Sequence, residues 1–112
     1  MSVSLTEDAV RDRSKDVTRR LGWLMIGPGD RLTLCRKVMG RRNGEPLVRI
    51  VDVEVVSWRR ELLRLITPSD VRREGFPDWT PAEFVEMFCD THRGATPETL
   101  VSRIEWRYLD AT

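Results

Sequence analysis

The sequence is poor in the residues that most often announce chemistry. It has two cysteines, Cys35 and Cys89, and a single histidine, His92, so the chain cannot build a common His/Cys zinc site alone. Neither cysteine sits in a CxxC pair, and two thiols make no disulfide framework, which points to a reducing cytoplasm and a protein without metal or other cofactor. No apolar run comes near the roughly 20 residues that a membrane-spanning helix needs, so no membrane association is expected. Glu7 and Asp8 stand where a signal peptide carries its apolar stretch. A phosphate-cradling P-loop, a GxSxG elbow, an HExxH pair and a dinucleotide fingerprint are all missing.

What is present describes a charge-rich globule. The length of 112 residues fits one domain spanning 1–112, with 40% apolar and 33% charged residues and four Trp, three Phe and one Tyr to anchor a core. The near-neutral net charge of +1 hides an uneven distribution. Residues 11–60 hold thirteen Lys/Arg against six Asp/Glu, whereas residues 61–112 hold six against ten. A basic half is a footprint for phosphate-bearing partners, or simply a solvated surface. Seventeen of the nineteen basic residues are arginine, whose planar fork of donors fits phosphate and base edges.

Local patterns predict an α+β protein. Thr6 opens a short helix with Glu7 and Asp8 in its first turn, where they complement the helix dipole. Residues 17–21 read as a strand, and Gly27-Pro28-Gly29-Asp30 as a turn. Residues 31–38 alternate with period two, and the Asn43-Gly44 step marks a hairpin tip at 40–44. The valine-rich run 47–58 cannot face all its apolar residues one way, so a bulge or a doubly buried stretch is expected near Ile50-Val51. Thr67-Pro68 and Thr80-Pro81 each start a helix, the first stopping at Gly75, the second carrying a Thr80/Glu83 capping box and ending near 92–94. Phe84, Val85, Phe88 and Cys89 make that helix's apolar face, so Cys89 reads as core rather than nucleophile, and His92 as a helix-end residue. Residues 100–109 form a closing strand. About five or six mostly antiparallel strands with two or three short helices favour a small barrel, which removes exposed edges.

One cluster stands out: Lys15-Asp16-Val17-Thr18-Arg19-Arg20, with Arg73-Glu74-Gly75-Phe76 far downstream. The pattern Lys-x-x-Thr-x-Arg after a short N-terminal helix resembles the signature of the ASCH domain family of the PUA-like superfamily. Gly29-Asp30 before a strand, Glu74-Gly75-Phe76 before a Pro/Glu-Phe helix, and Ile104-Glu105-Trp106 in a last strand fit the same resemblance, which spans about Leu5 to Leu109. The run from Thr18 to Trp23 is similar to a phage and actinobacterial branch. One departure is Arg13, where the family has glycine two residues before the lysine.

The resemblance implies a PUA-like β-barrel with a cleft between barrel and helices, and RNA or a modified nucleoside as ligand. A bacterial branch hydrolyses the amide of N4-acetylcytidine with a lysine, a threonine and a glutamate, which here correspond to Lys15, Thr18 and Glu74. Arg20 matches the motif's arginine in a binding role, with Arg19 and Trp79 as further ligand contacts. Chemically, a threonine hydroxyl needs a base within about 3 Å. Either Lys15, its pKa depressed by burial, takes that proton, or Glu74 acts as base while a charged Lys15 stabilises the oxyanion. Outside the resemblance, Lys15 and Thr18 read as an ordinary surface lysine and strand residue, and Glu74 as a partner for Arg72 or Arg73. Trp79 is either a stacking platform or a hydrophobic staple against Phe84, and Trp106 reads as core. Three functions follow: an RNA- or nucleoside-binding domain, an N4-acetylcytidine amidohydrolase, or a protein–protein adaptor using Glu83, Glu86 and Asp90.

Overall fold

The computed structural model describes residues 1–37 and 42–109. Four strands, β1 (Val17–Arg20), β2 (Arg31–Cys35), β3 (Arg49–Leu62) and β4 (Leu100–Tyr108), form one antiparallel sheet in the order β1-β4-β3-β2. Three short helices flank it, α1 (Glu7–Arg11), α2 (Pro68–Arg73) and α3 (Pro81–Thr91), with single 3-10 turns at Ser4–Thr6 and Leu63–Leu65. The α+β class and the antiparallel pairing follow the sequence pattern.

Among the described residues the strands number four rather than five or six, and the ladder stays open. Gly22 and Trp23 have φ of +77° and +53°, a left-handed backbone that no strand accommodates, so residues 22–26 are loop. The first residues contribute only one parallel bridge, Ser2 to Cys35. That bridge has a consequence for shape, because Arg20 donates from Nη2 to the Ser2 carbonyl at 2.7 Å. The N-terminal segment therefore touches both sheet edges, and closure comes through it rather than through a continuous ladder.

The turn signals hold. Thr67 and Thr80 cap α2 and α3 by accepting from Asp70 N and Glu83 N, and the Thr80/Glu83 capping box is complete. Thr6 precedes α1 without a side-chain cap. Asn43-Gly44 lies in a turn closed by Glu45 N to Arg42 O at 2.9 Å; Gly40 and Arg41 of the expected hairpin tip lie outside the described residues. Two bulges reconcile β3 with its crowded valines. One skips Ile50, where Leu34 pairs with Val51 but Cys35 with Arg49. The other skips Val56, between the pairs Val55–Trp106 and Ser57–Glu105.

Two cores lie on opposite faces of the sheet. On one face Val53, Val55, Ile104, Trp106 and Leu34 pack with Val3 and Val10 of the N-terminal segment and α1. On the other, Val101 packs under Leu63, Ile66, Val71, Phe84 and Phe88 from α2, α3 and the preceding turn. Strand β1 is therefore an edge flanked by α1 on one side and α2 and α3 on the other. Among the described residues, no helix is long and apolar enough to cross a membrane.

Candidate functional site

Residues 15 and 16 enter β1 through a corner tied to the end of α2. Lys15 N donates to Ala9 O at 3.0 Å, and Asp16 N donates to Arg73 O at 3.0 Å. This corner requires Arg13 to adopt φ +65°, the region that favours glycine. Arg13 therefore holds a backbone shape that glycine adopts without cost. Its guanidinium lies 5.4 Å from the Tyr108 ring centroid, a cation–π contact that offsets part of the strain.

Behind the corner, Lys15 is buried against Glu74. Lys15 Nζ donates to the Glu74 carbonyl at 2.8 Å and to Glu74 Oε1 at 3.0 Å. Burial pushes the lysine pKa down, and the Glu74 carboxylate pulls it part of the way back. Gly75 makes the meeting possible. It has φ +108°, and a Cβ there would come within 2.9 Å of Ala9 Cβ and 3.3 Å of Thr6 Cγ2. Only glycine lets the end of α2 approach α1 this closely. Glu74 pairs with Lys15 and Arg19, whereas Arg73 takes Asp16 and Glu105.

Period two then sends the two adjacent arginines to opposite faces. Arg19 lies opposite Arg103 in β4, and Arg103 lies opposite Arg59 in β3, so three guanidinium residues form one row. Like charges facing each other are destabilising unless neutralised. Asp70 accepts from Arg103 Nε at 2.7 Å and from Arg19 Nη2 at 2.6 Å. Glu61 accepts from Arg19 Nη2 at 2.5 Å and from Arg59 Nε at 2.9 Å. Glu74 Oε2 accepts from Arg19 Nη1 at 3.3 Å. Burial opposes the charge on Asp70, but the Arg103 and Arg19 hydrogen bonds outweigh it and hold its carboxyl well below the ordinary range. Both terminal nitrogens of Arg19 are thus committed to protein carboxylates.

Arg20 is placed differently. It shares the face of Thr18, donates from Nε to Thr18 Oγ1 at 3.1 Å, and reaches Ser2 O with Nη2. No carboxylate among the described residues pairs with it, and burial weighs against its charge. Around the buried Lys15, Arg19 and Arg103 the carboxylates Glu61, Asp70, Glu74 and Glu105 are shared out, and the half-buried Arg20 is left without a carboxylate at ion-pair distance among the described residues.

These groups line a cleft of about 220 Å³ at the β1 edge, between the N-terminal segment and α3. Lys15, Thr18, Arg19, Arg20 and Glu74 form one wall, and Phe76, Phe84, Met87, Phe88, Thr91 and His92 the other. His92, by its sequence position a helix-end residue, is among them. Its ring stacks on Phe88, centroids 3.9 Å apart, with Nδ1 at 2.9 Å from the Phe88 carbonyl. A carbonyl only accepts, so the neutral ring carries its proton on Nδ1 and leaves Nε2 as an acceptor. The signal for His92 was its i+4 spacing from Phe88, which places both on one side of the helix end. Trp79 is not among the lining residues. It stacks on Phe76 at 4.2 Å, and Phe76 in turn meets Phe84 at 5.9 Å, so Phe76 stands where a direct Trp79–Phe84 staple was one expectation. Trp106 is buried, as expected, with Lys15 Nζ 5.9 Å from its ring centroid. Among the described residues, no group of three or more His, Cys, Asp or Glu is placed to hold a metal.

No protein-family model and no curated protein matches the sequence. Solved structures do match the fold. A crystal structure of an ASCH domain from Lactobacillus crispatus JV V101 superposes with a TM-score of 0.65 over 93% of this chain and 70% of its own, at 16% identity. A protein of the DUF984 family from Enterococcus faecalis V583 superposes with a TM-score of 0.65 over 96% of this chain and 71% of its own, at 11% identity. The fold is thus similar to that of an ASCH domain over nearly the whole chain.

Proposed function

We propose that this chain, with the fold of an ASCH domain as its frame, binds RNA or a modified nucleoside in the cleft at the β1 edge. Lys15, Thr18, Arg20 and Glu74 are the contacting groups, and Arg19 holds Glu74 in place from behind. The observation that carries the reading is Arg20, a half-buried cation with no carboxylate at ion-pair distance among the described residues. A guanidinium with two nitrogens engaged and no carboxylate partner favours an anionic or strongly accepting ligand group. Lys15 supports the same chemistry, because Glu74 uses two of its three N–H donors. The aromatic wall of Phe84, Phe88 and His92 supplies faces for a planar ring.

The test is a titration with N4-acetylcytidine, cytidine and a single-stranded RNA of about eight nucleotides, within the site size of small single-strand binders. Binding of at least one probe is expected, with RNA affinity falling as salt rises and Arg20→Gln weakening it. Absence of binding by all three probes overturns the reading.

A second reading, amide hydrolysis of N4-acetylcytidine, is favoured by the buried Lys15–Glu74 pair sharing the cleft with the Thr18 hydroxyl. Thr18 Oγ1 accepts from Arg20 Nε, so its own O–H remains for a base. In this scheme Thr18 adds to the acetyl carbonyl, its proton passes through Glu74 to the departing cytosine N4, and water then cleaves the acyl ester. Lys15 stabilises the oxyanion. Release of cytidine by the wild type, abolished in Glu74→Gln and Lys15→Ala, supports it; equal release by both variants rejects the site.

A further inference from the structure

The loop that follows β1 leaves a tryptophan in an unusual position. Trp23 has φ +53°, a conformation that costs a bulky residue about 1–3 kcal/mol and persists only where the surroundings impose it. Two hydrogen bonds impose it here. Ser102 Oγ donates to Gly22 O at 2.5 Å, and Trp58 Nε1 donates to Trp23 O at 2.9 Å. The constraint does not serve to bury the side chain, since Trp23 remains 38% exposed beside Leu24 and Met25, the latter 97% exposed.

The sheet register says what surrounds this loop. Arg20 pairs with Ser102, and Ser102 pairs with Arg60, so the three share a face in one row across β1, β4 and β3. The main chain of Gly22 and Trp23 lies over Ser102, the middle of that row. Arg60 donates only to Ser102 Oγ and Leu100 O, and neither Arg60 nor Arg31 has a carboxylate partner among the described residues. Trp23 and Arg31 also line a hollow of about 420 Å³. Trp23 lies three positions after Arg20 of the cleft, at most about 11 Å of chain.

We propose that Trp23, flanked by Arg20 and Arg60, is a stacking platform for a base of single-stranded RNA adjoining the cleft. This rests on the nucleic-acid reading above and extends it from one nucleotide to a strand. A half-exposed indole on a main chain pinned by two hydrogen bonds offers a π-face to any base, and guanidinium groups without an ion-pair carboxylate among the described residues meet the phosphates. The same charge complementarity selects RNA over an apolar protein partner.

The experiment compares N4-acetylcytidine with the RNA of about eight nucleotides on the full chain. Trp23→Ala is expected to weaken RNA binding about tenfold while leaving the nucleoside affinity unchanged. Trp23→Phe, which keeps an aromatic face, restores most of the loss. Arg60→Gln lowers the salt dependence by about 0.7 in slope, one phosphate contact's worth on a single strand. Both Trp23 variants keep the carbonyl that Trp58 uses, and a thermal melt confirms their folding. RNA affinity unchanged in Trp23→Ala, or lost equally in the Ala and Phe variants, overturns the platform and leaves the cleft reading standing. No binding of either probe overturns both. A concentration-dependent dimer abolished by Trp23→Ala reassigns the patch to a second copy of this chain and overturns the RNA assignment.

Discussion

Lys15 and Glu74, 59 positions apart, meet twice: the ammonium donates to both the main-chain carbonyl and the carboxylate of the same residue. A carboxylate alone could swing away. The carbonyl fixes the lysine to the end of α2 whatever the glutamate side chain does, which makes the pair part of the fold as well as part of the cleft.

Removing one member of a buried pair strands the other's charge, at a cost of about 3–5 kcal/mol, whereas removing both costs less. Lys15→Met/Glu74→Gln is therefore expected to be more stable than the sum of the single variants by more than about 1 kcal/mol. Urea unfolding of the four proteins measures this; additivity within about 0.3 kcal/mol rejects the coupling.

Asp70 sets the acid side of the stability profile. Its folded pKa lies below the ordinary 3.8, since the Arg103 and Arg19 bonds outweigh burial. A depressed carboxyl contributes stability that is present above the unfolded value and lost as pH falls through the folded one. Unfolding free energy is expected to fall below about pH 4, and Asp70→Asn to flatten that limb while costing about 3 kcal/mol at neutral pH. Lys15 has a slope of the same sign at the other end of the scale: with its folded pKa lowered by burial, stability gains toward alkaline pH, up to about 10.4, and Lys15→Met removes that gain. A pH series of melts reads both.

Arg13 occupies a glycine conformation. Arg13→Gly keeps the corner, whereas Arg13→Val places a β-branched residue at φ +65°. The valine variant is expected to be less stable than the glycine variant by about 1–2 kcal/mol in chemical denaturation. Equal stabilities remove the backbone argument.

Gly75→Ala meets both an unfavourable φ and a contact at 2.9 Å with Ala9. A loss of about 2 kcal/mol is expected. Ala9→Gly in the same chain relieves the contact but not the φ, so it recovers part of the loss. Full recovery assigns the whole effect to the contact.

Much of the architecture was legible locally. Capping by Thr67 and Thr80, the turn at Asn43-Gly44 and a bulge by Ile50-Val51 depend on neighbours in sequence, and each formed as its residues dictate. Strand number is not set locally: the described residues form four strands rather than five or six, because the count depends on which segments find a ladder partner. Residues 22–26 do not, and the first residues manage one bridge. In the site, Lys15, Thr18 and Arg20 are readable from one short motif, whereas His92 reads only as a helix end until tertiary packing brings α3 to line the same cleft as β1.

The alternation of β1 was determined by sequence alone: adjacent Arg19 and Arg20 must point to opposite faces of a strand. Which of them would be neutralised was not. That depended on Glu61, Asp70 and Glu74 arriving on one face from more than 40 positions away, and charge pairing falls off over a few ångströms of space whatever the separation along the chain. Tertiary packing therefore made Arg19 part of the frame and left Arg20 facing the cleft.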